Sequence, residues 1–217
     1  MKIGILCLLS AITLHAPAYA QLPVAAEKHH RVLLQNDYIR ILDGHIPARD
    51  TTPVHLHAAN SVVVFLSLST FAIQKPGEPP VVTHVRPGDL KYAGYGDKPV
   101  NHIVWNESRN VFHFYVVELV KTHAAGAPCP ISPQPGLMLQ WKQPSVEAYY
   151  LEPPAGGSCR LPATSCARLL IGLSGTTTAS TPARTEIRQP EGYVYFPPGT
   201  RIDIRGDHSR CILLEIR

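Results

Sequence analysis

The stretch TTPVHLHAANSVVVFLS, residues 51–67, decides how the chain is read. His55 and His57 flank a single leucine, and a run of apolar and β-branched residues follows at once. In an extended strand, residues i and i+2 point to the same face. This H-x-H therefore aims two imidazoles into one space at the mouth of a buried strand. Pro53, just before them, favours an extended entry. Neutral imidazole is the commonest metal ligand. Two imidazoles facing one point make half of a site for zinc, iron, copper or nickel. Alone the pattern is a weak signal, because exposed histidine pairs are common, so the surrounding sequence has to supply the rest.

Working outward, short apolar segments recur: VVVFLSLSTFAI (62–73), VFHFYVVELV (111–120), ARLLIGLSG (167–175), GYVYFPPG (192–199) and RCILLEIR (210–217). Pro76-Gly77, Pro87-Gly88, Pro153-Pro154 and Pro197-Pro198-Gly199 punctuate them as turns. With 21 prolines, 17% charged residues and no long amphipathic helix, the 217-residue chain reads as all-β, a sandwich or barrel. The segments also repeat in order. Residues 38–67 lie on 148–174, with Pro47 on Pro154 and Ser67 on Ser174. RPGDLKY (86–92) matches QPEGYVY (189–195), and FYVVEL (114–119) matches CILLEI (211–216). AAGAPCPISPQPG (124–136) suits a joint between two units.

A third histidine, His102, lies in KPVNHIVWN (98–106), with Asn106 four residues on. Extended H-x-H, apolar strand, a Pro87-Gly88-Asp89 turn, then H-x-x-x-N: in this order the sequence resembles the cupin superfamily, small β-barrels of jelly-roll type. The resemblance implies that His55, His57 and His102 hold one divalent ion (iron, zinc, manganese, nickel or copper). It gives Asn106 the task of fixing the second motif's backbone or a ligand's hydrogen bond. It covers nearly the whole chain and implies two tandem cupin barrels, a bicupin, with barrels at 21–125 and 137–217 and a linker at 126–136. The family's glutamate is missing: Ser61 and Val62 occupy its place. A three-histidine set without a carboxylate occurs among cupins that bind iron and use dioxygen to cleave carbon–carbon bonds or oxidise thiols. In the second copy Pro162 and Thr164 fall on His55 and His57, and no histidine falls near residues 199–201, so that copy is expected to be degenerate and structural.

The remaining features set the context. Lys2, an apolar stretch and Ala18-Tyr19-Ala20 make residues 1–20 an expected signal peptide, with the mature chain periplasmic or extracellular. No apolar run is long enough for a membrane span. The formal charge of +4 is scattered, without the basic stripe and aromatics of nucleic-acid binding. Of Cys129, Cys159, Cys166 and Cys211, the seven-residue spacing and Pro162 favour a Cys159–Cys166 disulfide, leaving Cys129 with Cys211; free thiols are the alternative. His29-His30 reads as a solvated N-terminal segment, and His84 and His113 as lone strand histidines. Tyr92, Tyr95 and Trp105 are candidates for a pocket mouth. Tyr149, Tyr195 and Arg201 are candidates for a metal-free pocket in the second copy. Glu118 and Glu215, matched in the two copies, read as structural. Two functions stand side by side: a metal-dependent dioxygenase acting on a small oxygenated molecule, and a non-catalytic small-molecule or sugar-binding cupin. A structural cupin without metal is a third, and a homo-oligomer is left open.

Overall fold

A computed structural model describes residues 21–120 and 131–217. The export segment expected at 1–20, residues 126–130 of the expected linker, and Cys129 lie outside them. The first half holds β1 (His30–Gln35), β2 (Ile39–Ile46), β3 (His55–His57), β4 (Ser61–Phe65), β5 (Ser69–Gln74), β6 (Val81–Val85), β7 (Leu90–Ala93), β8 (Val100–Asn106) and β9 (Phe112–Leu119). The second holds β10 (Leu137–Gln143), β11 (Val146–Leu151), β12 (Cys159–Leu161), β13 (Ala167–Ser180), β14 (Thr185–Arg188), β15 (Tyr193–Phe196) and β16 (Ile202–Ile216). All pairings between these strands are antiparallel.

Each half is a jelly roll, and the strand orders match. The first has a sheet β1-β2-β9-β4-β7 and a second sheet β3-β8-β5-β6. The other half has β10-β11-β16-β13, with β15 and β14 on β13 and β12 on β16. There the long β13 does the work of β4 and β5, and the long β16 that of β8 and β9. β13 bends where its register slips at Gly172, Ser174 and Thr176. Gly175 has φ +64°, and a Cβ there would stand 2.9 Å from the His208 carbonyl oxygen, so the bend needs glycine.

Strand alternation sorts the side chains into three cores. Leu42, Ile46, Phe65, Phe71, Phe112 and Phe114 fill much of the first barrel. Tyr149, Leu151, Cys159, Leu161, Leu170, Ile204 and Leu213 are packed inside the second. The opposite faces of the same strands meet between the barrels: Ile39, Ile41, Val62, Val64, Tyr115 and Val117 from one half, and Val146, Leu169, Ile171, Ile212, Leu214 and Ile216 from the other. Tyrosine hydroxyls stitch the rim of this seam, Tyr115 to the Glu191 carbonyl (2.6 Å), Tyr150 to that of Gly88 (3.0 Å) and Tyr193 to that of Leu33 (3.1 Å). Glu118 pairs with Arg40 across β2 and β9, and Glu215 with Arg168 across β13 and β16; all four face inward, and the two glutamates are buried structural partners.

The register corrects the alignment of the second copy. His55 stands opposite His102 across β3 and β8, and Cys159 stands opposite Ile204 across β12 and β16. The counterparts of His55, His57 and His102 are therefore Cys159, Leu161 and Ile204, not Pro162, Thr164 and residues 199–201. The offset that matches Ser61 to Arg168, the residues opposite Glu118 and Glu215, does not carry through the preceding loop. Four positions separate His57 from Ser61, but seven separate Leu161 from Arg168.

The expected Cys159–Cys166 disulfide is absent. Cys159 and Cys211 are free, buried thiols, while Cys166 is disulfide-bonded. Strand alternation is the cause. Cys159 and Leu161 point into the second barrel's core on either side of exposed Arg160, as does Cys211, whose sulfur lies 2.9 Å from Thr177 Oγ1. The expected Cys129–Cys211 pair fails with Cys211 free.

Candidate metal centre

The first barrel holds a small cavity of about 70 Å³, with Phe65, Phe71, Phe112, Phe114, Val63 and Val104 among its walls. Its polar side is a group of imidazoles. His55 and His102 face each other across β3 and β8, and His57 is two residues along on the same face. Their ring centroids are 5.1 Å (His55–His57), 4.7 Å (His55–His102) and 4.7 Å (His57–His102) apart. One nitrogen from each lies within 4.8 Å of the other two, so the three could hold one ion between them, with ~2.0–2.1 Å the usual distance from imidazole nitrogen to zinc.

The protonation states suit a metal. Burial, reinforced by the neighbouring imidazoles, holds all three histidines below their ordinary pKa, His57 down to about 2 and His102 to about 3. The neutral rings keep their lone pairs. His55 Nδ1 donates to the Pro53 carbonyl oxygen (2.9 Å), which fixes the tautomer and turns its Nε2 into a lone-pair acceptor. That Nε2 and His102 Nδ1 are buried without a hydrogen-bond partner. Each such orphan costs ~1–3 kcal/mol, and a divalent ion at this point would satisfy both. The donor set is all nitrogen, suited to iron, zinc, copper or nickel. No carboxylate joins it: Ser61 lines the cavity where a glutamate would stand, buried and with its hydroxyl unpartnered.

A fourth imidazole was not expected. His29 and His30 are buried rather than solvated. The chain from Leu22 runs beside β3, where the Leu56 amide donates to the Leu22 carbonyl (2.7 Å), and a 3-10 turn at Val24–Ala26 brings Glu27 inward. The Glu27 carboxylate accepts from the His29 amide (3.1 Å), His29 Nδ1 (2.8 Å) and His30 Nδ1 (2.6 Å). Burial alone would raise the Glu27 pKa, but these bonds hold it at about 2. His30 lines the cavity, its ring 5.3 Å from His55 and 6.2 Å from His57. In β-register it stands opposite Gly44, which stands opposite Phe114. A Cβ at Gly44 would lie 2.4 Å from the Phe114 ring, so that glycine lets Phe114 and His30 close over the same spot, edge to face at 5.5 Å. The signal in the sequence was the E-x-x-H of Glu27 and His30, which gains meaning only once the segment is laid against β3.

The other candidates separate. Asn106 is buried and spent on backbone: its Nδ2 donates to the carbonyls of Ile46 (2.9 Å), Pro47 (3.0 Å) and Asn110 (2.8 Å), and its Oδ1 accepts from the Ser108 amide. It pins the end of β8 and does not enter the cavity. Tyr95, 5.9 Å from His57, and exposed Lys91 stand among the cavity residues. Tyr92 instead packs on the seam against Trp141, Trp105 bridges Thr51, and His84 bonds Thr70 at the surface. His113 faces away from the cavity, towards Asp43. In the second half, Tyr149 lies in the core, Tyr195 packs on the seam and Arg201 is exposed, so they form no common pocket.

No family model and no curated protein matches the sequence. Solved structures do. AerE from Microcystis aeruginosa aligns over 88% of this chain and 98% of its own at TM-score 0.63 and 11% identity. A salicylate 1,2-dioxygenase from Pseudaminobacter salicylatoxidans aligns over 87% and 77% at TM-score 0.61 and 11% identity. A variant of that enzyme has been solved in complex with gentisate. A cupin 2 conserved barrel domain protein from Leptotrichia buccalis aligns over 87% and 88% at TM-score 0.58 and 12% identity.

Proposed function

We propose that this chain, which has the cupin fold, is an exported, metal-dependent dioxygenase of the three-histidine type, acting on a small, apolar-bodied carboxylic acid. One observation carries the reading. Three neutral, buried imidazoles, two of them with orphaned nitrogens, converge in a cavity whose other walls are aromatic and aliphatic. A transition-metal ion held there supplies Lewis acidity towards a substrate oxygen and, if it is iron, the redox steps that dioxygen requires. The chain's own residues do the rest. Phe65, Phe71, Phe112 and Phe114 receive a flat apolar body and exclude water. Lys91 and Tyr95 offer a charge and a hydroxyl to a carboxylate. His30, its Nδ1 on Glu27, has Nε2 left to hold or pass a proton. The salicylate dioxygenase and its gentisate complex show such chemistry on this fold in another protein and lend the substrate class support.

Residues 1–20 we take as a cleaved export signal and 126–136 as the linker between the barrels at 21–125 and 137–217. N-terminal sequencing of exported protein should begin at Gln21. The function is tested by metal analysis of protein purified without chelator or His-tag, beside His55→Ala/His57→Ala, and by oxygen uptake of the iron-loaded chain with salicylate, gentisate and related acids. About one cavity ion lost in the variant, with substrate-dependent oxygen uptake, supports the reading. An ion without turnover on any of these acids leaves a binding module. No cavity ion of any metal offered removes the function.

A further inference from the structure

On the outer face of the first barrel, the chain repeats the ligand layout of its cavity. Asp43 and His45 are i and i+2 on β2, and His113 stands directly opposite His45 on β9, as His102 stands opposite His55. Asp43 Oδ1 lies 2.9 Å from Nε2 of His45 and 2.9 Å from Nε2 of His113. The two rings stack with centroids 4.0 Å apart and planes 23° apart, which points both Nε2 atoms the same way. One atom from each of the three residues lies within 4.8 Å of the others.

The groups around this cluster are placed as supports. Arg31 donates to Asp43 Oδ2 (2.9 Å), which orients the carboxylate and leaves Oδ1 to the imidazoles. Glu191, from the turn before β15 in the second barrel, puts Oε2 3.5 Å from His113 Nδ1. When an ion displaces the proton between Nε2 and Asp43, a carboxylate behind the remote nitrogen holds the ring's other proton there and leaves the Nε2 lone pair to the ion, as around ligating histidines generally. Asp43 and His113 are buried while His45 is half-exposed, so the cluster opens to solvent on one side. Lys28 lines the same cleft.

We propose that Asp43, His45 and His113 form a second metal site, for a divalent ion of the zinc class, at the solvent-facing edge of the seam between the barrels. Two nitrogens and one carboxylate oxygen suit zinc with water in the fourth position. Binding replaces the shared protons between Asp43 and the imidazoles with the ion, so it releases protons. With Glu191 behind His113, the ion would draw on both barrels.

The test is a zinc titration of the full chain by calorimetry, for wild type, His45→Gln, and a background carrying His57→Gln/His102→Gln. His45 is half-exposed and its substitution leaves both barrels' cores intact. The proposal expects zinc binding to survive in the background chain at about one ion, and to weaken at least tenfold when His45→Gln is added. His208→Gln, at an exposed turn, should change nothing. Should the background chain misfold, wild type against His45→Gln decides, with stoichiometry falling by one ion. Binding indifferent to His45→Gln overturns the site. A cavity that binds no ion, beside one His45-dependent zinc in wild type, would remove the function proposed above and leave this site standing.

Discussion

Replacing Glu27 by glutamine tests whether the buried carboxylate behind the fourth imidazole is held as an ion. Its two oxygens serve three donors, the His29 amide and the Nδ1 atoms of His29 and His30. Glutamine keeps one acceptor and sets an NH₂ against the others. The magnitude follows from the titration. A carboxyl held at about 2 rather than 4.5 corresponds to about 3 kcal/mol of folding stability, at ~1.4 kcal/mol per pH unit. Because the folded-state pKa is depressed, that stability is fully present above pH 4.5 and fades as pH falls towards 2. Glu27→Gln should therefore lower the urea-unfolding free energy by about 3 kcal/mol at pH 7, and by roughly half that at pH 3. In a chain of this size the pH 7 loss is a fall of roughly 6–12 °C in Tm. A difference below about 0.5 kcal/mol at pH 7, or one that does not shrink between pH 5 and pH 3, would show that Glu27 is not a buried ion.

Three further outcomes follow from the same structure. The metal-free chain should lose stability as pH falls below about 6.5, because the unfolded state takes up protons that buried His55, His57 and His102 refuse; urea midpoints at pH 7 and pH 5 should differ less in His57→Leu/His102→Leu, and equal slopes would refute this. Gly44→Ala should cost ~1–3 kcal/mol by overpacking against Phe114, and should weaken capture of a fluorescent apolar ligand by the cavity; unchanged stability would mean that Phe114 yields freely. Burial pushes the thiols of Cys159 and Cys211 up to about 11, so a thiol reagent at pH 8 should label both only after unfolding, read by peptide mapping; rapid labelling of native protein counts against their place in the second barrel's core.

What was legible in the sequence was what strand periodicity carries. The period of two makes His55 and His57 face one way, and the repeat of Ile39–Ile46 and Phe112–Leu119 by Val146–Leu151 and Arg210–Ile216 gives the paired jelly rolls. Long-range proximity was not legible. His30 reaches the cavity through β1 pairing with β2, and nothing local distinguishes it from a surface histidine beside Lys28 and Arg31. The second copy slipped in register because a difference in loop length is invisible to an alignment anchored on prolines. The cysteines misled for a related reason: closeness along the chain does not tell which face of a strand a sulfur occupies. The same long-range pairing brings together Asp43 and His45, which form a D-x-H, and His113, a single histidine in its own strand.

The seam between the barrels bears on how the chain can be handled. It takes eight buried side chains from each half, running through strands that also wall the histidine cavity on their other face. Cutting the chain at its joint would bare the backs of β2, β4 and β9 to water, and β4 and β9 carry Val63, Phe65, Phe112, Phe114 and Val116 of the cavity wall. The histidine half excised on its own would present eight apolar seam side chains to water. The apolar second barrel, with Cys159, Leu161 and Ile204 where the first has imidazoles, is the foundation on which a hollow neighbour can be built. Engineering of the cavity should begin from the intact pair.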